Sequence, residues 1–282
     1  MFAVLSLALF NTLAFGQREI VFLTPEKEGM KGNVKEVKMY ECEIDYENHS
    51  VLRNKKKLSS DSWYNHKGYI EKKTHIIGNV QSNTNYQYVY DKDRISIIDI
   101  NSYDTEDGIQ GNVKKIKVTY DYDKEGRTHQ ITALDVYQNQ EVYFRYFHYT
   151  TNGELFIDDF EGDRSPMLSG RYKIDDDHPL YLHMSRGKNI IRHSYVYNDA
   201  GQKTADKILN NHGDWSISVS YEYDDKGNVT KQTNYREDGT VLNEYYYSYK
   251  YDTKGNWMEK ETKYSDIGFT SRCEIREITY YK

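Results

Sequence analysis

Residues able to do chemistry are sparse and fall mostly in the middle of the sequence. Asp158-Asp159-Phe160-Glu161-Gly162-Asp163 and Asp175-Asp176-Asp177-His178 are its densest carboxylate groups. Such groups suit a hard cation held by several oxygens, or an acid–base pair acting on a sugar. Both fall at expected turns, where solvated acids are ordinary. Asp121-Tyr122-Asp123-Lys124-Glu125-Gly126 resembles the opening of a calcium loop, but the position for the closing bidentate glutamate is Thr132. His148, His178, His183 and His193 show no metal-ligand spacing. No nucleophile elbow, phosphate-cradling glycine loop or Cys-x-x-Cys pair occurs. The expectation is no catalytic residue, no metal site and no cofactor.

Aromatic residues are the feature with functional reach. The chain holds 29 Tyr against 9 Phe and 3 Trp, and tyrosine suits a pleated surface with one wet side. Trp215, Trp257, Tyr245, Tyr247, Tyr249 and Tyr251 are the ligand-binding candidates, because exposed aromatic faces stack on sugar rings or anchor a partner. The competing account is cross-strand packing inside a curled sheet. Solvent exposure decides between them.

The elements that position these residues come from a repeat. Tyr221-Glu222-Tyr223-Asp224-Asp225-Lys226-Gly227-Asn228 and Tyr249-Lys250-Tyr251-Asp252-Thr253-Lys254-Gly255-Asn256 both read Y-x-Y-D-x-K-G-N. Looser copies end at Gly68, Gly126, Gly153 and Gly201, and in two more the glycine position is taken by Arg94 or His178. Aspartate or asparagine (Asp123, Asp224, Asp252) opens each turn by bonding backbone N–H groups just ahead, and the glycine supplies the positive φ that closes it. Between these slots lie Gly187, Gly213, Gly239 and Gly268, expected at the return turns. Trp215, Ile217, Val219, Tyr221 and Tyr223 alternate with polar residues, a period of two rather than a helical one. Eight slots predict an all-β antiparallel meander of about sixteen strands. Native twist curls so wide a sheet, so the fold expected is a curled single sheet, an open shell or half-barrel with its tyrosines inward. Gly32-Asn33-Val34-Lys35-Glu36-Val37-Lys38 and Gly111-Asn112-Val113-Lys114-Lys115-Ile116-Lys117 are a further near-duplicate.

Residues 1–16 form an uncharged apolar stretch ending in Ala14-Phe15-Gly16, the pattern of a signal peptide, although no basic residue precedes it. The run is too short to span a membrane, so no transmembrane span is expected in the mature chain. Residues 17–31 read as an N-terminal segment in which Ile20-Val21-Phe22-Leu23 is expected to cover the first sheet edge, and residues 32–282 as one repeat domain. Formal net charge is −6 with both signs interspersed, which argues against nucleic acid as a partner. The basic run Arg53 to Lys57 reads as solvated loop or as a contact patch for an anion. Cys42 and Cys273 either join the two ends of the array or stand as separate thiols.

From Trp63 to Tyr264 these copies of Y-x-Y-D-x-x-G-N resemble the YD repeat of Rhs-type proteins, large bacterial surface and secreted polypeptides. The resemblance implies a spiralling β-sheet that wraps a cavity, with links to carbohydrate binding and cell-surface contact. The function expected is an exported, non-catalytic binding or scaffold module of the cell envelope or outside it, with a glycan or an envelope protein as partner. An envelope polysaccharide-acting enzyme using the Asp158 and Asp175 groups is the alternative, and a purely structural spacer is a third.

Overall fold

Where apolar and polar residues alternate, the chain is extended. The computed structural model describes residues 30–173, 179–186, 189–209, 213–265 and 268–282, and among these there is strand and turn but no helix. The strands are β1 (Val34–Asp45), β2 (Ser50–Tyr64), β3 (Ile70–Ile77), β4 (Val80–Asp91), β5 (Arg94–Glu106) and β6 (Ile109–Tyr122). They continue as β7 (Thr128–Asp135), β8 (Gln140–Tyr149), β9 (Glu154–Glu161), β10 (Pro166–Lys173), β11 (Pro179–Arg186) and β12 (Asn189–Tyr197). The last are β13 (Lys203–Leu209), β14 (Trp215–Tyr223), β15 (Val229–Tyr235), β16 (Val241–Tyr251), β17 (Trp257–Tyr264) and β18 (Thr270–Tyr280).

All belong to one antiparallel sheet in which every strand pairs with its neighbours in sequence. β1 pairs with β2 on one side and with β18 on the other, from Val34 opposite Tyr280 to Glu41 opposite Glu274. The curled meander is therefore present, and its first and last strands lie together where a half-barrel would expose two free edges. Pairing there removes the template that an unpaired edge offers to other chains.

A meander places its turns at two ends. The motif turns, from residues 65–69 to 252–256, form a corner rim; the described turns between them, from residues 46–49 to 236–240, form a return rim. Seven described motif corners, with the undescribed link between β10 and β11, join β2 through β17, and β1 and β18 are two strands more. The ninth hairpin is made by β18 and β1 across a corner shared between distant segments. Met30-Lys31-Gly32-Asn33 supplies its outgoing half, with Gly32 at φ 84°, and Tyr280-Tyr281 its incoming half. Tyr281 N–H donates to the Asn33 carbonyl at 2.9 Å. Asn256 donates to the Lys31 carbonyl at 2.8 Å and to the Tyr280 hydroxyl at 2.7 Å.

One slot departs from the expected turn. At Tyr88-Val89-Tyr90-Asp91 the glycine is replaced, and Asp91 pairs directly with Arg94 across a two-residue turn in which Lys92 takes φ 58°. Arg94 is therefore the first residue of β5 rather than a turn residue. The slot at His178, together with Asp175–Asp177 and Gly187, lies outside the described residues, as does Ile20–Leu23.

Buried side chains concentrate on the inner face of β1–β9. Val37, Ile98, Val118, Ile131, Phe147 and Ile157 belong to one apolar cluster. On β6, Ile116, Val118 and Tyr120 join that cluster while Lys115, Lys117 and Asp121 alternate onto the other face. Burial of this size is the main favourable term in the fold. Among the described residues no helix is long and apolar enough to cross a membrane.

Cys42 and Cys273 face each other across the β1–β18 ladder and are joined, with Cα atoms 5.2 Å apart and a sequence separation of 231. The bond fastens the first strand to the last. Replacing both by serine is expected to lower stability by about 2–4 kcal/mol, since the bridge closes a very long loop in the unfolded chain. Urea unfolding of the variant, compared with the parent with and without reductant, measures it; a variant matching the oxidised parent would show that the bond adds nothing to the paired strands.

Candidate functional site

Where the glycine is present, a motif corner is built from one side chain and one glycine. At Asp224, carboxylate Oδ1 accepts the backbone N–H groups of Lys226 at 3.0 Å and Asn228 at 2.8 Å. Its own N–H donates to the Asn228 carbonyl at 2.9 Å, and Gly227 N–H returns to the Asp224 carbonyl at 3.2 Å. Asp252 repeats this arrangement with Lys254 and Asn256, both at 2.9 Å. Asn65 and Asn198 do the same through their amide oxygens. Gly227 and Gly255 sit at φ 87° and 84°, in the left-handed region that a Cβ disfavours. At Asp123 the second carboxylate oxygen is taken by the Arg127 guanidinium at 2.7 Å. That pairing, with the Arg127 N–H on Oδ1 and Glu125 on the same guanidinium, engages two of the three acids that look like a calcium loop.

A second layer ties each corner to the next repeat. The hydroxyls of Tyr88, Tyr122, Tyr149, Tyr223 and Tyr249 donate to the carbonyls of Ile70, Ile95, Thr128, Lys203 and Val229, at the start of the strand leaving the previous corner. Tyr251 and Tyr280 instead donate to Oδ2 of Asp224 and Asp252. For Tyr223 against Tyr251 the difference follows from the corner residue. Asn198 has no second acceptor oxygen, and its amide nitrogen is spent on Gln202 at 2.8 Å, so Tyr223 turns to a strand carbonyl. Tyr223 and Tyr251, matched in sequence, thus have different partners.

The motif lysine also acts between repeats. Lys226 lies 4.5 Å from the ring centroid of Tyr251, Lys254 4.2 Å from Tyr280 and Lys67 3.9 Å from Tyr90. Arg94 sits 4.8 Å from the Tyr122 ring and donates to the Gly126 carbonyl at 3.0 Å. Arg94, in the glycine slot, makes the cation–π contact that the preceding lysine makes at other corners.

Asp224 and Asp252 carry the electrostatic signature of these corners. Partial burial acts to raise both carboxyls, but the tyrosine hydroxyl and the converging backbone N–H groups outweigh it and hold each below the ordinary 3.8. In the Tyr280–Asp252 pair, burial first and the carboxylate second push the phenol up to about 12. Because the folded carboxyls are the more acidic, their contribution is complete above the unfolded pKa and is lost as pH falls through the folded one. A falling melting temperature below about pH 4 is expected, and the double variant D224N/D252N is expected to flatten that fall. Parallel acid limbs for variant and parent would exclude these corners as its origin.

The six aromatic candidates lie on β14, β16 and β17. Tyr245, Tyr247, Tyr249 and Tyr251 are half-buried. Tyr245 packs on Tyr264 with centroids 4.6 Å apart, and Tyr247 reaches Gln232 at 3.4 Å. Trp257 lies between Tyr249 and Arg276, whose guanidinium is 3.5 Å from its centroid. Trp215, 42% exposed, is the most open of the six.

The carboxylates of β9 separate onto two faces. Asp159 is buried, paired with Arg145 at 2.6 and 2.9 Å and with the Tyr143 hydroxyl at 2.8 Å. Asp158 points the other way, to Ser169 at 2.6 Å and His148 at 3.5 Å. Asp163 accepts the Ser165 N–H. The basic run lies on β2, exposed but engaged in pairs. Arg53 pairs with Glu259 and Glu261 on β17, Lys56 pairs with Glu277 and covers Tyr40, and Lys57 reaches the Gly78 carbonyl. A group absent from the motif reading gathers on β12–β14, where Asp206 takes the Tyr221 hydroxyl at 2.9 Å and Lys203 at 2.8 Å. Of its members only Tyr221 belongs to the Tyr-x-Tyr motif.

Two porin-like proteins resemble the structure. One from Bacteroides uniformis is 10% identical, with 87% of this chain and 96% of that chain covered and a TM-score of 0.27. One from Bacteroides vulgatus is 10% identical, with 89% and 99% covered and a TM-score of 0.30. The TcdB2-TccC3-Cdc42 structure is 11% identical with a TM-score of 0.27; 78% of this chain is covered, but only 13% of that one. No family model matches the chain, and no curated protein matches its sequence.

Proposed function

We propose that this chain is an exported, non-catalytic YD-type repeat module that presents a surface to a glycan or protein partner at the cell envelope or outside the cell. The observation that carries this reading is the use of the motif's reactive groups. Its aspartates, lysines and tyrosine hydroxyls bind one another from repeat to repeat, so the motif builds a scaffold and leaves recognition to the residues around it. The bond between Cys42 and Cys273 supports export, since such bonds persist in oxidising compartments. The test is a glycan array together with pull-downs on the disulfide-bonded chain. Saturable binding to a defined glycan or protein is expected; no binding on either platform would sink the reading.

A further inference from the structure

Three residues of β2 leave the β1–β2 ladder beside the disulfide. Glu43 pairs with Leu52 and Cys42 with Lys56, so Arg53, Asn54 and Lys55 fall outside the pairing. Alternation assigns the faces. Val37 and Met39 pack with the apolar cluster, which puts Lys38, Tyr40 and Cys42 on the outer face. On β17, Glu261 lies opposite Cys273 and Glu259 opposite Ile275, so both glutamates share that face with the bond. Arg53 Nε donates to Glu259 Oε1 at 2.7 Å, and its Nη2 donates to Glu261. Between β2 and β17 lie β1 and β18, a gap of three strand spacings or about 14 Å. Lys56, still in the ladder, reaches only Glu277 on β18. The unpaired residues start between the Glu43 and Cys42 rows, and their anchor Glu259 lies one row beyond the bond. Their path therefore crosses the outer face above Cys42 and Cys273. Both anchors are held from other sides as well, Glu259 by Lys250 at 3.0 Å and Glu261 by the Thr270 hydroxyl at 2.9 Å. Cys273 is 1% exposed although its side chain points outward.

We infer that residues 53–55 form a strap that guards the Cys42–Cys273 bond, so that a thiol reductant reaches the bond only when Arg53 lets go of Glu259 and Glu261. Reduction begins with a thiolate attacking one sulfur, and its rate depends on access to that sulfur. Where the sulfur is covered, attack waits for a local opening. Releasing the strap breaks the ion pairs of Arg53 but no ladder bond to β1 or β3, since residues 53–55 pair with neither. Exposed ion pairs are individually weak, so this opening is a much smaller event than unfolding of the sheet. With a dithiol as reductant, the first thiolate forms a mixed disulfide with one cysteine and releases the other as thiolate. The second thiol of the reductant then displaces the remaining cysteine and closes its own disulfide. Two electrons pass from the dithiol to the protein, and β1 loses its covalent link to β18. The latch at Arg53 thus sets how long the first and last strands stay fastened in reducing surroundings.

The test reduces the full disulfide-bonded chain with dithiothreitol, traps the freed thiols with iodoacetamide at intervals and counts them by mass spectrometry. The parent is expected to be reduced tenfold or more slowly than a short linear peptide carrying one disulfide, at a rate that low urea leaves unchanged, as a local opening requires. R53A and E259Q/E261Q are each expected to raise the rate threefold or more, again without urea dependence. R171A, which takes an exposed arginine from Glu154 on β9, is expected to leave it as in the parent. Urea midpoints of all four proteins, read by circular dichroism, separate release of the strap from loss of the fold. A parent reduced as fast as the peptide overturns the inference, because the bond is then open. So does a rate that climbs with urea along the global unfolding slope, because the sheet itself is then the cover. Failure of R53A and E259Q/E261Q to exceed R171A overturns it as well, since some other part of the chain then shields the bond.

Discussion

Raising the pH above 10 is expected to unfold this protein along a steep limb in which tyrosine ionisation and loss of the sheet occur together. Tyr88, Tyr120 and Tyr143 all have phenols pushed well above 10, and in each the largest cause is burial, which penalises the anion. Neighbouring tyrosines add to the shift at Tyr88 and Tyr120, while Arg145 opposes it at Tyr143, where Asp159 again raises it. The folded chain keeps these protons over a range where the unfolded chain has released them. Their contribution is complete below the unfolded pKa and declines as pH climbs toward the folded values. Each phenol removes about 1.4 kcal/mol of stability per pH unit in that window, so the three together remove about 4 kcal/mol per unit. Total stabilities of 5–15 kcal/mol are typical, at about that order of magnitude, so the limb is short. Tyrosinate absorbance and far-ultraviolet circular dichroism recorded along one titration check it. If the tyrosines ionise fully near pH 10 while the sheet signal is unchanged, their hydroxyls are not held as described.

The second large effect concerns the ion pair inside the sheet. Asp159→Ala is expected to cost about 3–5 kcal/mol, because it leaves the Arg145 guanidinium buried without its carboxylate. Asp159 and Arg145 are each 4% exposed, and the Tyr143 hydroxyl also loses its acceptor. Replacing both charges by apolar groups, as in R145M/D159L, is expected to recover most of the loss, since two buried charges also bear a desolvation cost. Urea unfolding of the three proteins decides it. Single and double variants equally destabilised would mean that packing, not unpaired charge, sets the penalty.

The corners were legible in the sequence because their chemistry is local. Asp224 and Gly227 act on backbone a few residues away, and the turn they build depends on little else. The lysine between them was legible as a conserved letter of two copies but not as a contact, since its ring partner Tyr251 lies a full repeat further on. Arg94 shows the same limit: it reads as a lost glycine, yet it starts a strand and stacks on Tyr122. Arg53 and Lys56 look solvated because their partners, Glu259 and Glu277, come from the far end of the chain. Pairing of Cys42 with Cys273, and with it the ninth hairpin, depends on a register between β1 and β18 that no local pattern specifies. Arg145 was missed because alternation predicts which residues share a face, and Tyr143, Arg145 and Phe147 place a charge among apolar neighbours. Of the aromatic candidates, burial was the unknown, and neighbouring repeats supply it for five of the six.

The shared corner between Asn33 and Tyr281 has a consequence for how the gene could be rearranged. A necklace whose clasp imitates its links can be opened at a different link without losing a bead. Bridging residue 281 to residue 30 and severing the backbone at another corner, such as Thr151–Asn152, would retain every ladder while exchanging one opening for another. Adding or deleting a repeat, by contrast, would change the circumference by two strand widths, about 9–10 Å, and β1 would then have to find β18 across a differently curved wall.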